Sequence, residues 1–169
     1  MYMEIIKNFL LSFFRTIYIF QSKKNSKVFN FKNIKLKKYE KYKSIKNSWL
    51  KNHLKENNKF KRFNKKINLL ALFYHNEVVC IGWMSPNSKW YISEIRKTYY
   101  KNNSIILFDF FTRPQFRNKG FYRKILILIK NINTKKFFVI YSLSSNKKSI
   151  NGILNAKFKL IDQLKGFNV

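Results

Sequence analysis

Hydrophobic residues recur along this chain at two spacings, every third or fourth position in some segments, and alternating or in short runs in others. The first spacing predicts helices and the second predicts strands. Residues 5–20 are strongly apolar, and helical spacing joins Ile6, Phe9, Leu10, Phe13, Phe14 and Ile17. We therefore predict an apolar N-terminal helix within residues 1–24.

This N-terminal segment lacks the features of a secretory leader and of a membrane-spanning helix. Residues 1–4 are not basic, no small-residue cleavage site follows, and polar residues interrupt the short apolar run. Two interpretations remain open. The helix packs into the core, or residues 5–20 make peripheral contact with a membrane beside Lys23, Lys24 and Lys27.

The rest of the chain predicts a mixed order of strands and helices. Strands are predicted at residues 27–36, Asn68–Tyr74, 78–83, 89–95, Ser104–Thr112, Phe137–Leu143 and 158–164. Helices are predicted at residues 37–63, from Gly120 onward, and at Lys147–Asn155. Hairpins come first and a strand–helix–strand crossover follows. We predict one α/β (α+β) domain, residues 1–169, whose mixed and mostly antiparallel sheet is flanked by helices.

The charge of the chain is strongly positive, with 36 Lys and Arg against 7 Asp and Glu. Such a field favours anionic partners such as phosphates, nucleic acid or an anionic lipid surface. The abundance of Lys, Asn, Ile, Phe and Tyr also fits a biased genome, so charge alone identifies no partner. The hydrophobic fraction of 46% is enough to build a core, which argues against disorder.

Cys80 is the only cysteine, so the chain cannot form an internal disulfide or a cysteine-based metal site. We expect no metal. A single thiol in an apolar run fits a buried, unreactive side chain in a reducing compartment. We therefore expect a cytoplasmic protein, which would lie at the inner face of the membrane if the N-terminal helix contacts lipid.

The segment richest in chemical information follows the predicted strand Ser104–Thr112 and reads RPQFRNKGFY over residues 113–122. Proline ends the strand, and Gly120 opens a helix whose first backbone amides lack intrahelical partners. Such a helix start can bind a pyrophosphate, and Arg117 and Lys119 add positive charge beside it.

This segment resembles the acetyl-CoA motif of the GNAT acetyltransferases, in which a strand leads through a proline to Arg/Gln-x-x-Gly-x-Gly/Ala. Arg117, Gly120 and Tyr122 fall on its three defining positions, although Tyr122 replaces the usual small residue. The resemblance is sharp over residues 107–122 and extends, at the level of element order, over residues 69–164.

A second likeness to this family lies downstream. Residues 141–143, Asn146, Ser149 and Phe158 resemble the next strand, its Asn-led helix and a closing Gly-Phe pair. Lys157 replaces the glycine of that pair. Ile153 stands where many members carry a tyrosine proposed as general acid, so the resemblance supplies no such acid here.

The resemblance implies a GNAT-like fold and transfer of an acetyl group from acetyl-CoA, the co-substrate, to a primary amine on a small molecule. The pantetheine arm would lie where the strands Ser104–Thr112 and Phe137–Leu143 splay apart. The cofactor-binding residues it implies are Phe111, Thr112, Arg113, Arg117, Asn118, Lys119, Gly120, Phe121, Tyr122, Asn146 and Ser149.

Acetyl transfer to an amine needs a base, and Asp109 is one candidate. It interrupts an apolar strand, where a carboxylate is costly unless it is hydrogen-bonded or protonated. Strand periodicity places it on one face with Leu107 and Phe111. Two explanations remain open: Asp109 acts as base or binds the substrate amine, or a backbone bulge or nearby lysine satisfies it.

Other candidates for the chemistry are spread along the chain. Glu94 is a second possible base, Tyr141 a possible proton donor, and an ordered water could replace either carboxylate. Trp83 and Trp90 are candidates for stacking on an acceptor, with core packing as the alternative.

The acceptor itself is not encoded in any pattern. The motif version resembles family members of surface-polysaccharide pathways, which suggests an amino sugar, and an acceptor bearing phosphate would suit the positive charge. A second hypothesis is acetylation of an RNA-linked amine such as aminoacyl-tRNA. A third is a non-catalytic basic module that binds nucleic acid or membrane.

Overall fold

The computed structural model describes residues 14–25, 28–132 and 134–167. The strands are β1 Phe14–Ser22, β2 Ile34–Tyr39, β3 Asn68–Tyr74, β4 Glu77–Ser85, β5 Lys89–Ile92, β6 Lys97–Tyr100, β7 Ser104–Thr112, β8 Phe137–Leu143 and β9 Lys159–Phe167. The α-helices are α1 Ser48–Glu56, α2 Phe121–Ile129 and α3 Lys147–Asn155.

Seven strands form one twisted sheet in the order β2-β3-β4-β7-β8-β1-β9. Neighbouring strands are antiparallel except β7 and β8, which are parallel and are joined through α2. Strands β5 and β6 form a separate hairpin. The predicted fold class is therefore confirmed: a single α+β domain with a mixed, mostly antiparallel sheet.

Helices α2 and α3 cover one face of this sheet. The apolar stripe of α2 buries Ile125 and Leu126, and α3 adds Ile153, in the same core cluster as Leu107 of β7 and Ile140 of β8. In α2, Phe121, Ile125 and Ile129 recur every four residues, and in α3 Ile150 and Ile153 are three apart, so one side of each helix meets the sheet.

The opposite face of the sheet is covered in two places. Leu50 and Leu54 of α1 pack with Trp83 of β4. Farther along, Ile92 at the end of β5 packs with Ile106 of β7 in a third cluster. Helix α1 and the β5–β6 hairpin therefore lie on the face away from α2.

Several predicted elements are confirmed with their bounds, namely β3, β7, β8 and α3. The hairpin between β3 and β4 is also confirmed. Its turn residues His75 and Asn76 both have positive φ, the conformation that tight hairpins require.

The basic segment 37–63 is not one long helix. Its first residues continue β2 to Tyr39, and α1 begins only after Asn47, whose side chain accepts a hydrogen bond from the Leu50 amide at 2.9 Å. Likewise the strand predicted at 27–36 begins at Ile34, and the strand predicted at 89–95 ends at Ile92. Strand β6 was not predicted.

The predicted N-terminal helix is wrong for residues 14–22, which form β1. This strand lies between β8 and β9, so Ile17 pairs with Leu143 on one side and Leu164 on the other. Ile17 and Ile19 are fully buried. A strand covered on both faces is apolar at successive positions, so the apolar run of β1 does not by itself distinguish a strand from a helix.

The interfacial membrane helix predicted at residues 5–20 is therefore also wrong for residues 14–20, and residues 5–13 of that prediction lie outside the described residues. Among the helices that the structure describes, none combines the length and the apolar character needed to cross a bilayer.

A bulge interrupts β7 at Asp109, whose φ is 48°. Register with β4 jumps there, because Trp83 pairs with Phe108 whereas Ile81 pairs with Phe111. The face predicted for Asp109 was therefore wrong, since Leu107 packs on the α2 side and Phe111 on the α1 side.

Candidate functional site

A cleft of about 1500 Å³ opens where β7 and β8 part. The two strands pair only from Ser104 to Leu107 on β7, yet both continue beyond that point. Residues 108–112 and 141–143 line the gap that opens between them. The splay expected from the family resemblance is therefore present.

Most residues proposed from the sequence lie on the walls of this cleft. They are Glu94, Asp109, Phe111, Thr112, Arg117, Asn118, Gly120, Phe121, Tyr122, Tyr141, Asn146 and Ser149. The bulged strand β7, the start of α2, the end of β8 and the start of α3 bring them together.

The start of α2 faces the cleft without a side-chain cap. Gly120 occupies the N-cap position with φ 73°, in the left-handed region that glycine adopts without cost. By contrast, α1 and α3 are capped by Asn47 and Asn146, whose side-chain oxygens accept hydrogen bonds from backbone amides of the first helical turn. The first amides of α2 thus remain available to an anion from the cleft. A Cβ built on Gly120 would meet no atom within 4 Å, so the space beside this helix start is open.

Basic side chains surround this helix start. Arg117 is held by a hydrogen bond from Nε to the Thr112 carbonyl at 3.2 Å. Its guanidinium lies 5.9 Å from the centre of the Phe111 ring. Arg123 and Lys148 also line the cleft, although the sequence patterns did not single them out. This end of the cleft is therefore strongly positive.

Tyr122 joins α2 to α3. Its hydroxyl lies 3.2 Å from Ser149 Oγ, and the Ser149 amide donates a hydrogen bond to Asn146 Oδ1 at 3.1 Å. Burial raises the pKa of the Tyr122 hydroxyl, so the group stays neutral. Tyr122, Asn146 and Ser149 thus form one connected wall of the cleft.

Asp109, just beyond the last residue of β7 that pairs with β8, is held by two cations. Lys59 Nζ and Arg62 NH1 lie 2.8 and 2.6 Å from the same oxygen, Oδ2. Burial raises the pKa of Asp109, but the hydrogen bonds and charges of these two residues outweigh it and hold the pKa below its usual value. A carboxylate held in this way is a weak proton acceptor.

Tyr141 and Glu94 lie close to Asp109. Burial, followed by the nearby charges of Glu94 and Asp109, raises the pKa of the Tyr141 hydroxyl to about 12. This hydroxyl therefore keeps its proton at neutral pH and can donate it. Part-buried Glu94 accepts a hydrogen bond from Ser93 Oγ at 3.1 Å.

Four proposed residues lie outside the cleft lining. Trp83 is fully buried in the core, so an acceptor cannot stack on it, and that prediction is wrong. Trp90 packs between Tyr99 and Tyr141, with ring centres 4.8 and 6.4 Å away. Trp90 therefore contacts the ring of Tyr141, which lines the cleft.

The other two are basic residues of the motif turn. Arg113 donates a hydrogen bond to the Val78 carbonyl at 3.0 Å and lies 3.6 Å from Glu77, so it fastens the turn to β4. Lys119 extends over the Phe116 ring, 5.6 Å from its centre.

Lys59 and Arg62 are the functional candidates that sequence patterns missed. They lie in a basic stretch without distinctive spacing, and their carboxylate partner is 47 positions from Arg62 along the chain. Among the described residues, no group of three or more His, Cys, Asp or Glu side chains could hold a metal ion.

No protein-family model matches the sequence, and no curated protein matches it significantly. Solved structures do match the backbone. A protein from Novosphingobium aromaticivorans, described as a GNAT-family acetyltransferase, has a TM-score of 0.56 at 10% identity, over 92% of this chain and 66% of its own. A GNAT-family acetyltransferase from Colwellia psychrerythraea has a TM-score of 0.55 at 14% identity, and the match covers 97% of this chain and 61% of that protein's chain. The fold is GNAT-like.

A third solved protein with this fold, a functionally unknown conserved protein from Staphylococcus epidermidis, has a TM-score of 0.53 at 10% identity, over 98% of this chain and 67% of its own. The chain spans about two thirds of the length of these proteins. At such identities the likeness concerns the GNAT-like fold, and it does not support the narrower resemblance to polysaccharide-pathway members.

Proposed function

We propose that this chain is an N-acetyltransferase that uses acetyl-CoA to acetylate a primary amine. The observation that carries the proposal is the cleft between the diverging strands β7 and β8, which ends at the uncapped, positively charged start of α2. A long cofactor with a diphosphate at one end and a reactive thioester at the other suits such a cleft.

The residues on the walls fit acetyl-CoA. The amides after Gly120 would hold the diphosphate, and Arg117, Arg123 and Lys148 would add charge around it. Backbone groups of residues 108–112, where pairing with β8 has stopped, would hold the pantetheine arm. When bound, acetyl-CoA supplies an acetyl thioester, and the cleft contributes mainly by positioning an amine against it.

The proton transfers would fall to residues at the Asp109 end. Tyr141 is protonated at neutral pH, so it can donate a proton to the leaving group. Glu94 is the better candidate to accept the proton of the amine, because Asp109 is already engaged by two cations. Asp109 then acts by positioning its neighbours.

An amino sugar remains one acceptor hypothesis. Tyr91 lines the cleft and is 59% exposed, so its aromatic ring could stack on a sugar face. If acetyl transfer is found with simple amines but with no amino sugar, that narrower hypothesis is wrong.

Isothermal titration calorimetry with coenzyme A tests the proposal on a matched pair of variants, Gly120→Asp and Gly120→Asn. Both residues tolerate positive φ and have the same shape, so both proteins should fold. The aspartate places a negative charge on the α2 amides, which the helix dipole favours but a diphosphate would not. We expect Gly120→Asp to bind coenzyme A roughly tenfold or more weakly than Gly120→Asn.

The wild-type protein should bind coenzyme A and transfer acetyl groups to an amine. Equal affinity in both variants would mean that the start of α2 does not bind the diphosphate. Absence of binding by wild type, together with salt-sensitive binding to RNA, would instead select the non-catalytic basic module.

A further inference from the structure

Two cations converge on one carboxylate oxygen of Asp109, two residues beyond the point where β7 stops pairing with β8. Lys59 lies just after α1, and Arg62 lies in the 3-10 turn Phe60–Lys65. Their nitrogens are 2.8 and 2.6 Å from Asp109 Oδ2. One carboxylate balances one of the two positive charges, so the group of three keeps a net positive charge.

Arg62 packs against two aromatic rings in this position. Its guanidinium carbon lies 5.0 Å from the centre of the Trp83 ring and 5.4 Å from that of Phe108. Contact with both rings fixes the plane of the guanidinium group. A guanidinium has five N–H donors, and a single carboxylate oxygen cannot use them all.

Both cations remain accessible from the cleft. Their side chains are 21% exposed for Lys59 and 31% for Arg62, and both line it. Glu94 and Tyr141, the residues proposed to move protons, line the same end, and the charges of Glu94, Asp109 and Arg62 all act on the Tyr141 hydroxyl.

We propose that Lys59 and Arg62 bind an anionic group, a carboxylate or a phosphate, on the acceptor whose amine is acetylated. Asp109 is a positioning residue that holds the two cations together at the acceptor end of the cleft. The inference rests on the proposed acetyltransferase function and adds a substrate class to it: amines that also carry a negative charge. Partly desolvated cations in fixed positions recognise such groups strongly.

The general positive field of the chain is the competing explanation, and the sequence offers a matched control for it. Lys61 lies between the two cations in the sequence but is exposed and lies outside the cleft lining. Replacing it removes the same unit of charge from the same turn. If Lys59 and Arg62 form a local site, replacing Lys61 should affect binding less than replacing either of them. If only a diffuse positive field acts, the three replacements should have equal effects.

The experiment measures acceptor binding directly, by two-dimensional NMR titration of the full chain, so it does not depend on turnover. O-phosphoethanolamine is compared with ethanolamine for the phosphate, and β-alanine with its amide for the carboxylate. The variants are Lys59→Gln, Arg62→Gln and Lys61→Gln. Each of the first two leaves Asp109 one cationic partner, and thermal unfolding checks their folding.

We expect wild type to prefer at least one anionic amine over its neutral counterpart, and the preferred pair identifies the anion. Lys59→Gln and Arg62→Gln should each weaken that binding by about tenfold or more, and Lys61→Gln should not. The proposal is overturned if neutral and anionic amines bind alike or if all three variants behave alike. Coenzyme A binding, measured separately, reports on the acetyltransferase proposal itself.

Discussion

The ring of Tyr122 lies directly on the backbone of Gly152, where α2 crosses α3. A Cβ built on Gly152 would come within 2.6 Å of Tyr122 Cδ1, so only glycine fits there without a shift of the ring. The bulky ring of Tyr122, at the third motif position, thus fits because Gly152 in the next helix has no side chain. The two residues therefore act as a pair.

Gly152→Ala should destabilise the protein, although alanine is the better helix former. Alanine gains about 1 kcal/mol in helix propensity, but overpacking against Tyr122 costs about 1–3 kcal/mol. In a Tyr122→Ala background the clash is gone, so the same substitution should raise the free energy of unfolding. Urea denaturation of the four proteins measures this coupling. Equal effects in the two backgrounds would show that the ring moves away freely.

Under the proposed acetyltransferase function, Asp109→Asn should preserve most of the catalytic rate. Asparagine tolerates the positive φ of this bulge and still accepts a hydrogen bond from Arg62. Loss of a general base typically lowers the rate by about 10²–10⁴-fold, whereas we expect kcat to fall by less than about tenfold. Steady-state kinetics with any accepted amine measures this. A fall of the larger size, with normal coenzyme A affinity, would make Asp109 the base.

Under the same proposal, Tyr141→Phe should lower kcat by about a hundredfold and leave KM nearly unchanged, because it removes the proposed proton donor and little else. With a pKa of about 12, Tyr141 should cause no loss of activity between pH 8 and about 10.5. Tyr99→Phe is the matched control, since burial also raises the pKa of Tyr99 to about 12 and its ring packs on the same Trp90. If both variants lose activity equally, the two hydroxyls contribute to packing around Trp90, and the loss in Tyr141→Phe does not report a proton donor.

The elements that the sequence predicted with their bounds have local signals. Pro114 follows the end of β7, Gly120 marks the start of α2, and Asn146 caps α3. Each of these residues acts through the backbone within a few positions of itself. The motif turn and most of the residues that line the cleft near the start of α2 could therefore be located from the sequence.

The features that were missed depend on contacts between distant segments. The strand β1 is fixed by pairing with β8 and β9, which lie more than a hundred positions away, and its own apolar run fits helix and strand alike. The bulge at Asp109 and its pairing with Lys59 and Arg62 likewise join β7 to a turn far back in the chain. No local spacing encodes such a site.

His53 lies in a stack of rings that connects α1 to the cleft. Its imidazole is 5.0 Å from the Trp49 ring on one side and 4.9 Å from Phe111 on the other. Its Nε2 atom is buried without a hydrogen-bond partner among the described residues. Burial, helped by the charge of Lys59, lowers the pKa of His53 below its ordinary value of 6.5.

The neutral form of His53 should therefore stabilise the fold above about pH 6.5, and this contribution should be lost as the pH falls toward the lower pKa of the folded state. The sign follows because the unfolded chain binds the proton more readily in that interval. His53→Phe keeps the ring stack but cannot titrate. Urea denaturation at several pH values between 7.5 and 5 should show wild type losing stability relative to His53→Phe as the pH is lowered. Parallel curves for the two proteins would mean that the imidazole leaves the stack and is solvated without cost.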